Sequence, residues 1–233
     1  MCIGCNPIIA KPCGSNIESS QSMVYLGGVI SADGQCTSEI NRRIGLASSE
    51  FSSLQKVWSH ANLSVRKKIA IYQSLIVPKL MYALEGIWLN QGQRRRLDSF
   101  HNGCIRRIVK VQHAYYSRIS NEDVLKAAHS TPLSLLLLRS QLISFARIAS
   151  LDHHHLVRDL IFQADDTLAL RESTFLKKQG RPRLSWASEL LKISFRISGS
   201  APNLQSLLRG FSLSPRAWIS AIDSYLHSSD SID

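Results

Sequence analysis

The chain has 233 residues, of which 44% are hydrophobic, so it can bury one large core or two smaller ones, which argues against a disordered or disulfide-stapled class. Its formal net charge is +11, and residues 42–118 account for all of it, with 14 lysines and arginines against three acidic residues. So concentrated a basic region favours a polyanionic partner over a general solubility role, although a solvated basic face is the plainer alternative.

The apolar runs and the cysteines indicate in which cellular compartment the chain is expected. The longest uninterrupted apolar stretches are far too short to cross a bilayer, so we expect no membrane partner. The five cysteines have no regular spacing, and no apolar signal peptide precedes them. These features favour a reducing intracellular compartment, either the nucleus or the cytoplasm.

Extended structure comes first and helices follow. The first 35 residues have short apolar pieces and a turn signal at Asp33-Gly34, where glycine tolerates positive φ. From Thr37 to Trp58 the apolar spacing is helical. Ser64 is a candidate N-cap for the next helix, which Pro78 should break or kink before an apolar element at residues 80–89.

A third basic helix is predicted over residues 93–110, after Asn90-Gln91-Gly92 ends the preceding element. Arg95 and Arg106 lie eleven residues apart, as do Arg96 and Arg107, which is close to three helical turns. The pattern therefore predicts a ridge of guanidinium groups along this helix.

The remainder is predicted to be helical with few extended links. Residues 112–119 form a short extended link, and a capping box at Ser120 and Asp123 opens a helix over residues 121–129. Thr131-Pro132 begins a leucine-rich buried helix that ends near residue 151. Further helices are predicted at residues 153–163, 186–197 and 214–226, with an irregular basic segment at residues 167–185. The predicted fold class is mainly α with a small β element at the amino end.

Several phrases of the sequence occur in the order found in one protein family. The first is Tyr25-Leu26-Gly27-Gly28. The others are residues 39–47, 67–83, 95–100, 104–108, 118–121 and the Gly-Arg-Pro...Trp phrase at 180–186. Together they resemble the reverse transcriptases of LINE-type (non-LTR) retrotransposons, from the end of the palm domain through the thumb.

The resemblance implies that the chain has three regions and that it is a part of the enzyme without the catalytic aspartates. Residues 1–35 would be a palm-tail β-hairpin element, residues 36–118 a basic thumb-like helical bundle, and residues 119–233 a carboxyl-terminal helical region. The family polymerises with Mg²⁺ held by aspartates upstream of Tyr-Leu-Gly, yet the 24 residues before Tyr25 contain Glu18 as their single acid. We therefore expect no enzyme activity and no cofactor, Mg²⁺ belonging only to the full-length parent enzyme. Asp165-Asp166 imitates the catalytic turn but lies far downstream of Tyr25, so we predict no catalytic role for it.

The resemblance and the charge together predict binding to a primer-template, which would be RNA, an RNA–DNA hybrid or a DNA duplex, independent of base sequence. The candidate phosphate ligands are Arg42, Arg43, Arg66, Lys67, Lys68, Arg94, Arg95, Arg96, Arg106, Arg107, Lys110, Arg181 and Arg183. The segment around Arg181 and Arg183 also resembles an AT-hook, for which a basic surface loop is the alternative.

Other sites and other functions stay open at this point. Cys2, Cys5 and Cys13 could supply three zinc ligands, but the usual second pair at short spacing is missing, so we predict no metal site. Residues 153–155 are three consecutive histidines, which point in different directions from a helix. A decayed element, or a helical interaction or structural protein without a nucleic-acid role, is the rival to the fragment hypothesis, and a truncated gene model is a third possibility.

Overall fold

The computed structural model describes residues 20–32, 34–60, 62–152, 154–163, 168–171 and 185–228. Within these ranges the protein is mainly helical, with a small two-stranded antiparallel hairpin near the amino end, which confirms the predicted fold class. The chain forms two compact units. Unit 1 comprises residues 1–84 and 89–134, and unit 2 comprises residues 85–88 and 135–233.

The hairpin consists of β1 (Ser22–Tyr25) and β2 (Gly28–Ser31). Leu26 and Gly27 connect the strands with φ angles of 46° and 78°, and Tyr25 pairs with Gly28. Two consecutive residues with positive φ match the right-handed twist of a tight hairpin. Tyr25 therefore ends β1 and Leu26-Gly27 form the turn, whereas the resemblance implies a strand for the Tyr-Leu-Gly phrase.

Unit 1 contains six helices among the described residues. They are α1 (Thr37–Ser53), α2 (Gln55–Ser59), α3 (Val65–Met81), α4 (Gln91–Val109), α5 (Ala114–Ser117) and α6 (Asn121–Ala127). The apolar stripe predicted from Thr37 to Trp58 faces the core, with Ile40, Phe51 and Trp58 buried. The helix is interrupted at Leu54, so that two helices occupy the predicted span.

Contacts between α1, α3 and α4 fix the direction of each helix. Lys79, near the end of α3, pairs with Glu50 of α1, while Lys68, near the start of α3, bonds to Trp58 of α2. Arg43 of α1 lies over the ring of Tyr82, just after α3, and Phe51 near the end of α1 packs edge-on against Tyr72 of α3, so α1 and α3 are antiparallel. Gln93 Nε2 of α4 donates to Thr37 Oγ1 of α1 over 3.2 Å, so α4 begins beside the start of α1. Helix α4 also packs against α2, which follows the end of α1, so α4 runs in the same direction as α1. The last turn of α4 and the first turn of α3 therefore lie at the same end of the bundle.

The structure differs from the sequence predictions at the ends of α3 and α4. Helix α3 continues through Pro78 to Met81, because the proline lies in the last turn and its missing N–H removes a single helical hydrogen bond. Residues 82–86, within the apolar element predicted at residues 80–89, form turns. Asn90 starts α4 instead of ending the previous element, since its side chain accepts from Gln93 N–H over 2.9 Å and Gln93 returns the bond to Asn90 N–H. The predicted extended link contains α5.

The predicted start of α6 agrees with the structure. Ser120 Oγ accepts a hydrogen bond from Asp123 N–H over 3.0 Å, as expected of an N-cap. Helix α6 packs against α4. This packing places residues 119–134 with the preceding helices, whereas the resemblance implies a boundary after residue 118.

Unit 2 contains most of α7 (Leu133–Ala149), then α8 (Leu156–Asp159), α9 (Trp186–Ser198), α10 (Ala201–Arg209), a 3₁₀ turn at Gly210–Ser212 and α11 (Arg216–Ser228). Its core comprises Phe145, Phe162, Leu190, Leu204, Leu208, Trp218 and Ile222. The prediction of one helix over residues 153–163 was wrong, because only Leu156–Asp159 are helical. His155 caps this short helix, and Phe162 pairs with Leu170 in an antiparallel bridge.

Candidate nucleic-acid interface

The first turn of α3 concentrates positive charge at the positive end of a helix. Ser64 Oγ caps the helix by accepting from Lys67 N–H over 3.4 Å. Arg66 and Lys67 are exposed, and this first turn contains no acidic residue. Cations at a helix amino terminus are destabilising by roughly 0.3–1 kcal/mol each. An anion bound here would be attracted by both side chains and by the helix dipole.

Helix α4 presents a second basic surface. Its exposed side follows Gly92, Arg96, Ser99, Gly103 and Arg107 at spacings of three and four residues. Arg96 and Arg107 are separated by about 16 Å along the axis, at 1.5 Å per residue. Glycine and serine between them leave room for a bulky ligand to approach the helix, since a Cβ added at Gly103 would meet nothing within 4 Å.

Arg95 and Lys110 extend this surface at either end of α4, and both are exposed. In the part of the chain that the structure describes, no carboxylate lies within ion-pair distance of the six exposed residues named above: Arg66, Lys67, Arg95, Arg96, Arg107 and Lys110. These six side chains are therefore available to an external anion.

Two predicted ligands are buried and hold the hairpin end and α2 in place. Arg43 is 6% exposed, pairs with Glu39, donates to Gly27 O and lies 4.5 Å over the Tyr82 ring. Lys68 is 4% exposed, and its ammonium donates to Trp58 O over 2.8 Å. Both side chains satisfy groups inside the fold, so we remove them from the phosphate-binding set.

Arg106 is the third predicted ligand that the fold uses internally. It is 6% exposed, and its guanidinium donates to Gln112 O over 2.9 Å, Ile119 O over 2.7 Å and Asn121 Oδ1 over 2.9 Å. The expected pairing of Arg95 with Arg106 on one open face is thus not realised, because the segment after α4 covers Arg106.

Arg42 and Arg94 are half-buried. Arg42 Nη1 donates to Gly27 O over 2.9 Å and lies 3.8 Å from Glu39 Oε2, while Arg94 Nε donates to Leu89 O over 3.1 Å. Each is at most a secondary ligand. Arg181 and Arg183 lie outside the described residues, as do Cys2, Cys5, Cys13 and Asp165-Asp166.

A buried polar chain fixes α3 against α4. Tyr72 Oη is 2.9 Å from His101 Nδ1, and His101 Nε2 is 3.3 Å from Ser130 Oγ. Burial lowers the pKa of His101 to about 4, so the imidazole is neutral near pH 7. Burial also raises the pKa of Tyr72 and raises that of the Cys104 thiol to about 12. These groups are too deeply buried to bind a ligand, and they hold the two basic helices in register.

Sequence reasoning assigned no binding role to the segment that follows α4, apart from Lys110 at its start. This segment also contains His113, Tyr115, Tyr116 and Arg118, all of them exposed. A signal was present, because residues 99–121 contain no aspartate or glutamate and four lysines and arginines. The aromatic pair within this run was treated as part of an extended link.

Among the described residues no group of three or more histidine, cysteine or acidic side chains could hold a metal ion. No helix in those same ranges is long and apolar enough to cross a membrane. Comparison with known protein families, with curated proteins and with solved structures gave no match to the chain in any of the three.

Proposed function

We propose that unit 1 binds nucleic acid through its phosphates, independent of base sequence, and that the chain is a non-catalytic part of a LINE-type reverse transcriptase. The observation that carries the proposal is the set of exposed cations without ion-pair partners among the described residues, on the first turn of α3 and along α4. The excess positive charge of residues 42–118 supports it. So does the order of the sequence phrases that resemble the family.

The geometry favours phosphate contacts over base readout. The exposed arginines Arg96 and Arg107 stand about 16 Å apart on one helix. This distance corresponds to roughly five phosphate steps along one strand of a duplex, at 3.4 Å each. Such side chains hold a backbone in position and carry no sequence information themselves.

Binding of the intact chain to duplexes of about 20 base pairs, two helical turns, tests the proposal. Fluorescence anisotropy would be recorded with DNA duplexes of two unrelated sequences and with an RNA–DNA hybrid at several salt concentrations. If five of the exposed cations each neutralise one phosphate, the slope of log K against log salt should be about −4.5.

The result should be the same for both DNA sequences. A slope near zero, or strong preference for one sequence, would contradict the proposal and favour the rival, a helical structural or interaction protein. The same data show whether the chain prefers duplex DNA or the RNA–DNA hybrid, a choice that the resemblance leaves open.

A further inference from the structure

The segment that joins α4 to α6 presents two aromatic rings to solvent. Tyr115 and Tyr116 are 68% and 73% exposed, and their ring centroids lie 5.2 Å apart with planes at 87°. Arg118 Cζ lies 5.5 Å from the centre of the Tyr115 ring. Exposed aromatic clusters of this kind generally mark binding surfaces, because burial would otherwise be favourable.

This segment, residues 110–119, is here named the tyrosine loop, and its backbone is held in one conformation. The guanidinium of Arg106 binds the carbonyl oxygens of Gln112 and Ile119, one at each side of the loop. Inside the loop, Tyr116 N–H donates to His113 O and Arg118 N–H donates to Ala114 O, both over 2.9 Å. The rings are therefore presented by a fixed scaffold, which lowers the entropy lost when a ligand binds.

Both ends of the tyrosine loop keep cationic side chains in a strained backbone conformation. Lys110 has φ 60° and Arg118 has φ 57°, in the left-handed region that favours glycine or asparagine. This conformation is strained for a residue with a Cβ. The fold thus keeps a cationic side chain at two positions where glycine or asparagine would be less strained.

We propose that the tyrosine loop is a stacking platform for the unpaired bases of single-stranded RNA or DNA, with Arg107 and Lys110 binding the adjacent phosphates. This inference rests on the proposed function and specifies the ligand of one part of the surface. Every base has a π face, so stacking on tyrosine tolerates any sequence. Paired bases inside a duplex do not expose that face, so the loop selects an unpaired strand, such as one that leaves the end of a duplex.

An oligothymidylate of about 15 nucleotides and an abasic oligomer of equal length separate stacking from charge, because both carry the same phosphates. Affinities of the intact chain for both would be measured at one salt concentration. The variants would be Tyr115→Ala/Tyr116→Ala and, retaining both rings, Tyr115→Phe/Tyr116→Phe. Leu156→Ala/Leu160→Ala removes two exposed apolar side chains, one in α8 and one just after it, and serves as the control. An oligouridylate arm distinguishes RNA from DNA.

The wild-type chain should prefer oligothymidylate over the abasic oligomer by at least about fivefold, the effect of stacking one base. The alanine variant should lose this preference and still bind duplex DNA normally, while the phenylalanine and control variants keep it. Equal wild-type affinity for the two oligomers, or an alanine variant that keeps the preference, would overturn the inference while duplex binding stands. Absence of binding to every nucleic acid would overturn the proposed function as well.

Discussion

Reversing the charge of the first turn of α3 should move stability and binding in opposite directions. Arg66 and Lys67 are exposed, and no carboxylate in the described ranges neutralises them. Replacing both by glutamate, Arg66→Glu/Lys67→Glu, changes helix propensity little because all three residue types are good helix formers. The perturbation therefore acts through charge alone.

The stability change follows from the helix dipole. Each substitution removes a cation that is unfavourable by roughly 0.3–1 kcal/mol and introduces an anion that is favourable by a similar amount. At an exposed position we expect the free energy of unfolding to rise by about 1 kcal/mol per substitution. Urea-induced unfolding measured at low ionic strength should show the increase, and added salt should reduce it.

Nucleic-acid binding should weaken in the same variant. If each side chain neutralises one phosphate, the salt slope for duplex DNA should become less steep by about 1.8. A variant that is more stable and binds less cannot be explained by unfolding. Because stability and binding change in opposite directions, the assay decides whether the first turn of α3 contacts the nucleic acid.

Arg216→Glu provides a matched control for the single variant Arg66→Glu. Arg216 is exposed at the first position of α11, a helix whose first turn also contains no acidic residue. The control therefore has the same change in net charge and a comparable gain from the helix dipole. The salt slope should stay unchanged for Arg216→Glu, and an equal loss of binding in both variants would refute a specific role for α3.

Three further predictions follow from single residues. Arg106→Ala should destabilise unit 1 by about 3 kcal/mol in thermal or urea unfolding, because the buried guanidinium is lost and two part-buried carbonyl groups of the tyrosine loop lose a charged donor; a loss confined to nucleic-acid affinity would contradict its internal role. The pKa of His101 is lower in the fold than its ordinary value of 6.5, so the unfolded chain binds the extra proton first. Stability should be complete above pH 6.5 and fall by about 3 kcal/mol as the pH decreases to 4, a dependence that unfolding of His101→Gln should lack. Lys110→Gly should relieve strain and raise stability by up to about 1 kcal/mol while making the salt slope less steep by about 0.9, and a loss of stability would show that φ 60° is not strained there.

The helices and their buried faces could largely be predicted from local pattern. Apolar spacing located α1, α9 and α11, and Ser64 and Ser120 were identified as caps because a hydroxyl at that position accepts an N–H three residues on. The errors occurred where a residue that usually ends a helix has another role in this fold. Asn90 looked like a terminator and is a cap, while Pro78 looked like a breaker and lies in a last turn where little is lost.

The tyrosine loop could not be located by periodicity, because α5 spans four residues and its neighbours are fixed by the distant Arg106. A hairpin near the amino end was predicted, but the position of its turn at Leu26-Gly27 depends on two positive φ angles that a strand pattern does not reveal. Both are cases in which tertiary contacts, and not local propensity, decide the backbone.

One physical rule separates the basic residues that the fold uses from those it leaves exposed. Each withdrawn cation donates to a backbone carbonyl where the chain changes direction: Arg43 to Gly27, Lys68 to Trp58 and Arg106 to Gln112 and Ile119. Carbonyl groups at such places have no helical or strand partner, and a buried one left without a donor is destabilising by about 1–3 kcal/mol. A helical wheel places Arg106 beside Arg107 but contains no information about which carbonyl groups the next segment brings near. The composition of a basic region therefore overestimates its phosphate contacts, and the salt slope measures the number that remains.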